Sequence, residues 1–140
     1  MMLYFAYGMN TNREGMRGMC PQSRRMGVAK LLDCSFRFAG CADIILDETA
    51  YVDGLLWDIT DDCLLHLDCL EGYPHFYDRG IFQVEFNGEI LDAMSYFMTP
   101  GHETRNPSSG YLNTVVTGYR ENGIPMDQIY NALLVPELVA

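Results

Sequence analysis

An α+β fold, with a largely antiparallel sheet able to curl into a barrel and a few short flanking helices, is what this sequence predicts. Three observations carry the prediction. Strand-like segments outnumber helical ones. Asn87-Gly88 between two apolar runs is a strong hairpin signal. The helices fall between strands without the regular alternation that builds a parallel βαβ sheet. The chain has 140 residues, so residues 1–140 are read as a single domain large enough to bury its own core.

The elements follow in order. Leu3 to Ala6 reads as a strand that stops at the turn signal Gly8-Met9-Asn10, and Thr11 to Met19 as a short helix weakened by Gly15 and Gly18 and ended by Pro21. Gly27 to Ile59 has strand character, with breaks near Gly40 and Asp47-Glu48. Leu55, Trp57 and Ile59 alternate with Leu56 and Asp58, the period of a half-buried strand. Thr60 is a helix N-cap, with Asp61 and Asp62 in the turn where the helix dipole favours acids. That helix continues to about Leu70, and Gly72 and Pro74 stop it. Tyr77 to Phe86 and Ile90 to Met98 form the hairpin arms, and 100–110 is a polar loop. Two short helices, about Tyr111 to Arg120 and Met126 to Leu134, close the chain.

Composition narrows the function. The hydrophobic fraction is 49% and the charged fraction 20%, values of an ordinary globular domain. No apolar run approaches a membrane span, and the apolar start, Met1 to Tyr7, runs into a turn without a basic leader, so it reads as a first strand and not a signal peptide. Nine basic residues stand against 19 acidic ones, a net charge of −10 that repels nucleic-acid backbones. The acids are scattered rather than blocked, which argues for a solubilising surface over a mimic of an acidic partner.

Five cysteines, Cys20, Cys34, Cys41, Cys63 and Cys69, make an odd number without a C-x-x-C pair. Neither a disulfide framework nor a zinc ribbon is indicated, and five reduced thiols in a cytoplasm are expected. Cys63, His66 and Cys69 are the one cluster suggestive of a metal, but on a helix Cys63 and Cys69 lie about 120° apart. Buried apolar cysteines are the preferred reading.

Glu71 is the first candidate for chemistry. It lies seven residues after Leu64 and four after Leu67, which puts a carboxylate on the apolar face at the C-terminal end of a helix. Burial and the negative helix end both raise a carboxyl pKa toward the range useful for proton transfer. The alternative is a Glu whose stem packs while its head reaches water. The turn Tyr7-Gly8-Met9-Asn10 is the second candidate: a strand ends at a glycine just before a helix, leaving backbone N–H groups free for a carboxylate or an oxyanion. The alternative there is an ordinary strand-to-helix turn. Tyr77 and Tyr111 each follow a turn-rich segment and can place a hydroxyl in a cleft, although most tyrosines only pack. His75 and His102 sit in polar loops and read as solvated. There is no G-x-S-x-G, phosphate-binding glycine loop or H-E-x-x-H.

Three segments, in the right order, resemble the γ-glutamylcyclotransferase family, the superfamily that includes the AIG2-like proteins and the butirosin-pathway cyclotransferase. Tyr4 to Asn10, YFAYGMN, is similar to the family's strand and Tyr-Gly-Ser-Asn loop. Leu67 to Arg79, LDCLEGYPHFYDR, is similar to the helix end in which the Glu before Gly is catalytic. Pro107 to Pro125, PSSGYLNTVVTGYRENGIP, is similar to a C-terminal stretch in which a Tyr after a Pro-Ser turn touches substrate. Asp53 to Trp57 resembles the family's G-x-x-W strand. Met9 departs from the pattern, standing where the family usually has Ser.

The resemblance implies a mixed, largely antiparallel barrel flanked by short helices, with Glu71 and the Tyr7–Asn10 loop at one mouth. It implies conversion of a γ-glutamyl-amino acid or γ-glutamyl amide into 5-oxoproline and a free amine, with Glu71 as general acid/base. Tyr7, Gly8, Met9, Asn10, Tyr77 and Tyr111 are the expected substrate-binding residues. No metal or cofactor is implied. The partner is a small-molecule γ-glutamyl substrate, with no nucleic acid and no membrane, and the protein works as a monomer or homodimer. Two alternatives stand beside this. One keeps the chemistry but takes γ-glutamylamines or a γ-glutamyl-protected biosynthetic intermediate. The other is a non-catalytic binding or interaction module on the same fold.

Overall fold

Five strands close into a barrel in the computed structural model, which describes residues 1–134. The strands are β1 (Met2–Ala6), β2 (Arg24–Ala39), β3 (Cys41–Ile59), β4 (Tyr77–Phe86) and β5 (Glu89–Met98). Their order around the barrel is β1-β3-β2-β4-β5. Every pairing is antiparallel except the one that closes the ring, where β1 runs parallel to β5 with Tyr4 opposite Met94. The mixed, largely antiparallel barrel is therefore as expected. Its interior is filled from alternate positions of the strands, among them Phe5, Leu31, Val52, Leu56 and Val84, all fully buried.

The long β2–β3 hairpin turns at Gly40, with Ala39 opposite Cys41. The break expected at Asp47-Glu48 takes the form of a bulge inside β3 and not a strand end. Pairing jumps from Leu32–Tyr51 to Cys34–Leu46, so Asp33 alone faces residues 47–50. Asp47 organises the extra residues by accepting bonds from the Thr49 backbone and hydroxyl at 3.0 and 2.7 Å. The β4–β5 turn is Asn87-Gly88, both at positive φ, as a two-residue hairpin requires.

Among the described residues four helices flank the barrel: α1 (Arg13–Met19), α2 (Asp61–Glu71), α3 (Ser109–Asn122) and α4 (Asp127–Ala132). The helix expected from Thr11 starts later, because Met9–Thr11 form a separate 3-10 turn and Asn12 caps α1 through a bond from the Gly15 N–H at 3.1 Å. Thr60 caps α2, accepting from the Cys63 N–H at 3.1 Å, and Gly72 ends it in the left-handed conformation. The last helix is shorter than expected and ends at Ala132. Among the described residues no helix is long and apolar enough to cross a membrane.

One expectation fails on tertiary grounds. Cys20 and Cys63 form a disulfide, so the five thiols are not all free. The pair is separated by 43 residues and becomes adjacent only when the end of α1 packs on the first turn of α2. Cys34, Cys41 and Cys69 remain free, and Cys69 is exposed and not buried as expected. The Cys63–His66–Cys69 cluster is dispersed by the same arrangement, with His66 Nδ1 turned to the Met19 carbonyl at 2.9 Å.

Candidate active site

A cavity of about 170 Å³ opens at one mouth of the barrel, and Tyr7, Gly8, Met9, Asn10, Glu71, Tyr77 and Tyr111 all line it. The fold brings these residues from the turn after β1 and from α2, β4 and α3 to one place. Tyr4, Cys41, Ala42 and Tyr96 also line it and were not singled out in the sequence. His75 and His102 do not reach the cavity.

The 3-10 turn forms one wall. Thr11 folds back on Gly8, its N–H and hydroxyl donating to the Gly8 carbonyl at 3.2 and 2.8 Å. This leaves the N–H groups of Gly8 and Asn10 without an acceptor among the described residues, while that of Met9 faces the Tyr111 hydroxyl. The space beside Gly8 is tight: a Cβ there would lie 3.0 Å from the Tyr111 hydroxyl and 3.1 Å from Ala42 Cβ. Helix α3 holds the turn from behind. A side chain at Gly118 would collide with Thr11, so the helix packs directly on the turn. The Tyr119 hydroxyl donates to the Tyr7 carbonyl at 2.6 Å, and Asn122 Nδ2 donates to the Thr11 carbonyl at 2.8 Å. Trp57 Nε1 donates to the Asn10 carbonyl at 3.0 Å.

Glu71 forms the opposite side. It is the last residue of α2, where the helix dipole disfavours a negative charge. Burial raises its carboxyl to about 7, because the charged form loses its hydration. Among the described residues no cation offsets this. The nearby Arg79 is committed to Asp68, Nε to Oδ1 at 3.0 Å, and Asp68 also accepts the Tyr96 hydroxyl at 2.6 Å. The Asp68 contacts fix the end of α2 while leaving Glu71 unpaired by any cation among the described residues. Among the described residues its one side-chain partner is Asn10, whose Nδ2 lies 3.4 Å from Oε1 and 3.0 Å from the Tyr4 hydroxyl oxygen. The Tyr4 proton thus remains free to be donated.

The tyrosines divide by where their hydroxyl protons go. Tyr7 donates to the Tyr96 carbonyl at 2.7 Å, and Tyr77 to the Ala42 carbonyl at 2.6 Å. These two hydroxyls are committed to backbone carbonyls while their rings line the cavity. Tyr111 instead accepts from the Ala42 N–H at 2.9 Å and keeps its own proton available to the cavity. Burial is the main reason each phenol is pushed above the usual tyrosine range, so they stay neutral donors at any physiological pH. Burial likewise raises the Cys41 thiol, helped by the Glu71 charge. Tyr4 and Tyr96 carry no local sequence signal, since their exposure to the cavity depends on barrel closure. Tyr4 shares the YFAYGMN segment with Tyr7, which is the one hint available.

The cavity can therefore hold a small polar molecule between amide and phenol donors on one side and a carboxyl that exchanges a proton near neutral pH on the other. Comparison with known proteins agrees. A family model described as gamma-glutamyl cyclotransferase, AIG2-like, matches residues 4–113. The human gamma-glutamylcyclotransferase is 29% identical over 143 aligned positions, which cover 89% of this chain and 73% of the relative. The bovine gamma-glutamylcyclotransferase is 28% identical with the same coverage. A solved structure described as gamma-glutamyl cyclotransferase superposes with a TM-score of 0.83 at 28% identity, over 94% of this chain and 85% of the other. The chain belongs to the gamma-glutamyl cyclotransferase, AIG2-like family and is an enzyme of that kind.

Proposed function

We propose that the protein converts a γ-glutamyl compound into 5-oxoproline and a free amine, with Glu71 as the only proton carrier. The observation that carries this reading is an unpaired, buried carboxyl with a pKa near 7 facing a glycine turn with free amides across one cavity. The substrate's own α-amine attacks its γ-carbonyl carbon, so no enzyme nucleophile is needed. Holding the glutamyl chain folded makes the attack intramolecular, which positioning accelerates strongly. The Glu71 carboxylate takes a proton from the attacking amine as the C–N bond of the ring forms. The Gly8–Asn10 amides face the oxygen that becomes negative. Glu71 then returns the proton to the leaving nitrogen as the original amide bond breaks. Tyr4 and Tyr111, whose hydroxyl protons are uncommitted, orient the substrate, while Tyr7, Tyr77 and Met9 shape its walls. A cytoplasmic place of action is part of the same reading, carried by the family and not by the thiols, two of which are paired.

The test is 5-oxoproline release from a panel of γ-glutamyl-amino acids, γ-glutamylamines and a γ-glutamyl-protected amine. Turnover of at least one, lost in Glu71→Gln, is the expected result. Binding of such compounds by both proteins without turnover by either one would replace the enzyme reading with a binding module. Met9, in the place where a hydroxyl is usual, is the feature that keeps that second reading worth testing.

A further inference from the structure

The chain is strongly acidic, yet four of its nine basic residues, Arg13, Arg17, Arg24 and Arg25, fall within 13–25. Arg24 is accounted for by an ion pair with Asp58 at 2.9 Å. The other three line a second cavity of about 280 Å³, separate from the candidate active site and open to the surface, with Ser23 and Trp57. Arg13 Nε and Arg25 Nε both donate to one atom, Asn122 Oδ1, at 3.1 and 2.7 Å. Two guanidinium groups are thereby gathered round a single neutral acceptor.

Asn122 cannot yield. It is buried, and its Nδ2 is held by the Thr11 and Gly118 carbonyls at 2.8 and 2.7 Å. No carboxylate lies within ion-pair distance of Arg13, Arg17 or Arg25 among the described residues. The nearest acid, Glu121, accepts from the Arg13 backbone N–H at 2.6 Å, and its carbonyl takes Arg13 Nη2 at 3.4 Å. Like charges so placed repel, and Arg25 is driven below its ordinary pKa by burial and then by Arg13. Guanidinium forks match the geometry of oxyanions and bind them with charge-assisted hydrogen bonds.

We propose that this cavity binds a small oxyanion carrying two negative charges, a phosphate or a dicarboxylate, between Arg13, Arg25 and Arg17. The chain's net charge of −10, with these arginines included, keeps polyanions away, so the ligand is a small molecule and not a nucleic acid. The site adjoins the catalytic turn, because Trp57 also bonds to the Asn10 carbonyl and Asn122 to that of Thr11.

Trp57 is the one tryptophan of the chain, so its fluorescence reports on this wall directly. The full-length protein is titrated with inorganic phosphate, and separately with succinate, at ionic strength held constant with sodium chloride. A saturable change with at least one of them is expected, and which one responds identifies the oxyanion class. Arg25→Gln and Arg17→Gln should each weaken it about tenfold, the loss of one charge-assisted contact, whereas Arg120→Gln should not. Arg17 makes no side-chain hydrogen bond among the described residues, so its variant keeps the fold if Arg25→Gln does not. The proposal is overturned if neither anion gives a saturable response, if chloride alone reproduces it, or if folded Arg17→Gln and Arg25→Gln respond like the wild type.

Discussion

Asn10 and Glu71, 61 residues apart in sequence, meet at 3.4 Å across the cavity, and the same Asn10 amide reaches the Tyr4 hydroxyl oxygen. A donor aimed at a carboxylate favours its charged form, against the burial that favours the neutral one. Asn10→Ala should therefore raise the Glu71 pKa further and free the carboxylate to swing. We expect kcat/KM for 5-oxoproline release to fall about tenfold, the low end for a hydrogen bond to a charged group. The acid limb of the pH–rate profile should move to higher pH. A loss of rate with an unmoved limb would show that Asn10 acts on substrate alone.

Gly8 and Tyr111 test the crowding at the turn. The Cβ of Gly8→Ala would press on the Tyr111 hydroxyl, which has little room because Ala42 lies equally close. Activity should drop while the melting temperature changes little, since Gly8 is only half-buried and a shift of a few tenths of an ångström relieves the contacts. Tyr111→Phe should differ, because it strips the acceptor from the Ala42 N–H. Leaving that amide unsatisfied costs about 1–3 kcal/mol. Both turnover and melting temperature should fall, and a variant that loses activity with an unchanged melt would show that water replaces the hydroxyl there.

The cysteines give a simpler measurement. Titration of the unreduced, denatured protein should find three thiols, from Cys34, Cys41 and Cys69. Five would mean that Cys20 and Cys63 are reduced in the isolated protein, returning to what the odd cysteine count suggested. Cys20→Ser should remove the bond from α1 to α2 and lower the melting temperature, with about 2–4 kcal/mol as the usual scale for a long loop.

Much of this was legible in the sequence where the determinants are local. Thr60, Gly72 and Asn87-Gly88 mark boundaries through their own backbone preferences, and the structure uses each as expected. The placement of Glu71 followed from helix geometry, because α2 is regular up to that residue. What stayed hidden depends on contacts between distant segments. Tyr4 and Tyr96 face the cavity only because β1 inserts between β3 and β5. Cys20 and Cys63 have no motif spacing, and Asp47-Glu48 looks like a turn because a bulge uses the same residue types. The 3-10 turn at Met9–Thr11 was merged with α1, since one turn of either helix carries the same apolar spacing.

The last prediction joins catalysis to stability through one proton. Glu71 has its pKa raised from 4.5 to about 7 by burial. The folded protein therefore binds this proton more tightly than the unfolded chain does. The stability this contributes is fully present below the unfolded value of about 4.5 and is lost as pH rises through about 7. Glu71→Gln is neutral at every pH and keeps the size of the side chain. Its melt should match the wild type near pH 4.5 and exceed it at pH 8, by about 2 kcal/mol in order of magnitude. Turnover should move the other way. The step that removes the amine proton needs the carboxylate, so the wild-type rate should fall on the acid side with an apparent pKa near 7. Glu71→Gln should lose about 10⁴-fold, the upper end for a general acid–base group, because among the described residues nothing else lining the cavity exchanges a proton near neutrality. Thermal melts and 5-oxoproline assays of both proteins across pH 4.5–8 read the two effects together. A stabilised variant that still turns over substrate at the wild-type rate would leave Glu71 a buried carboxyl with no part in the chemistry.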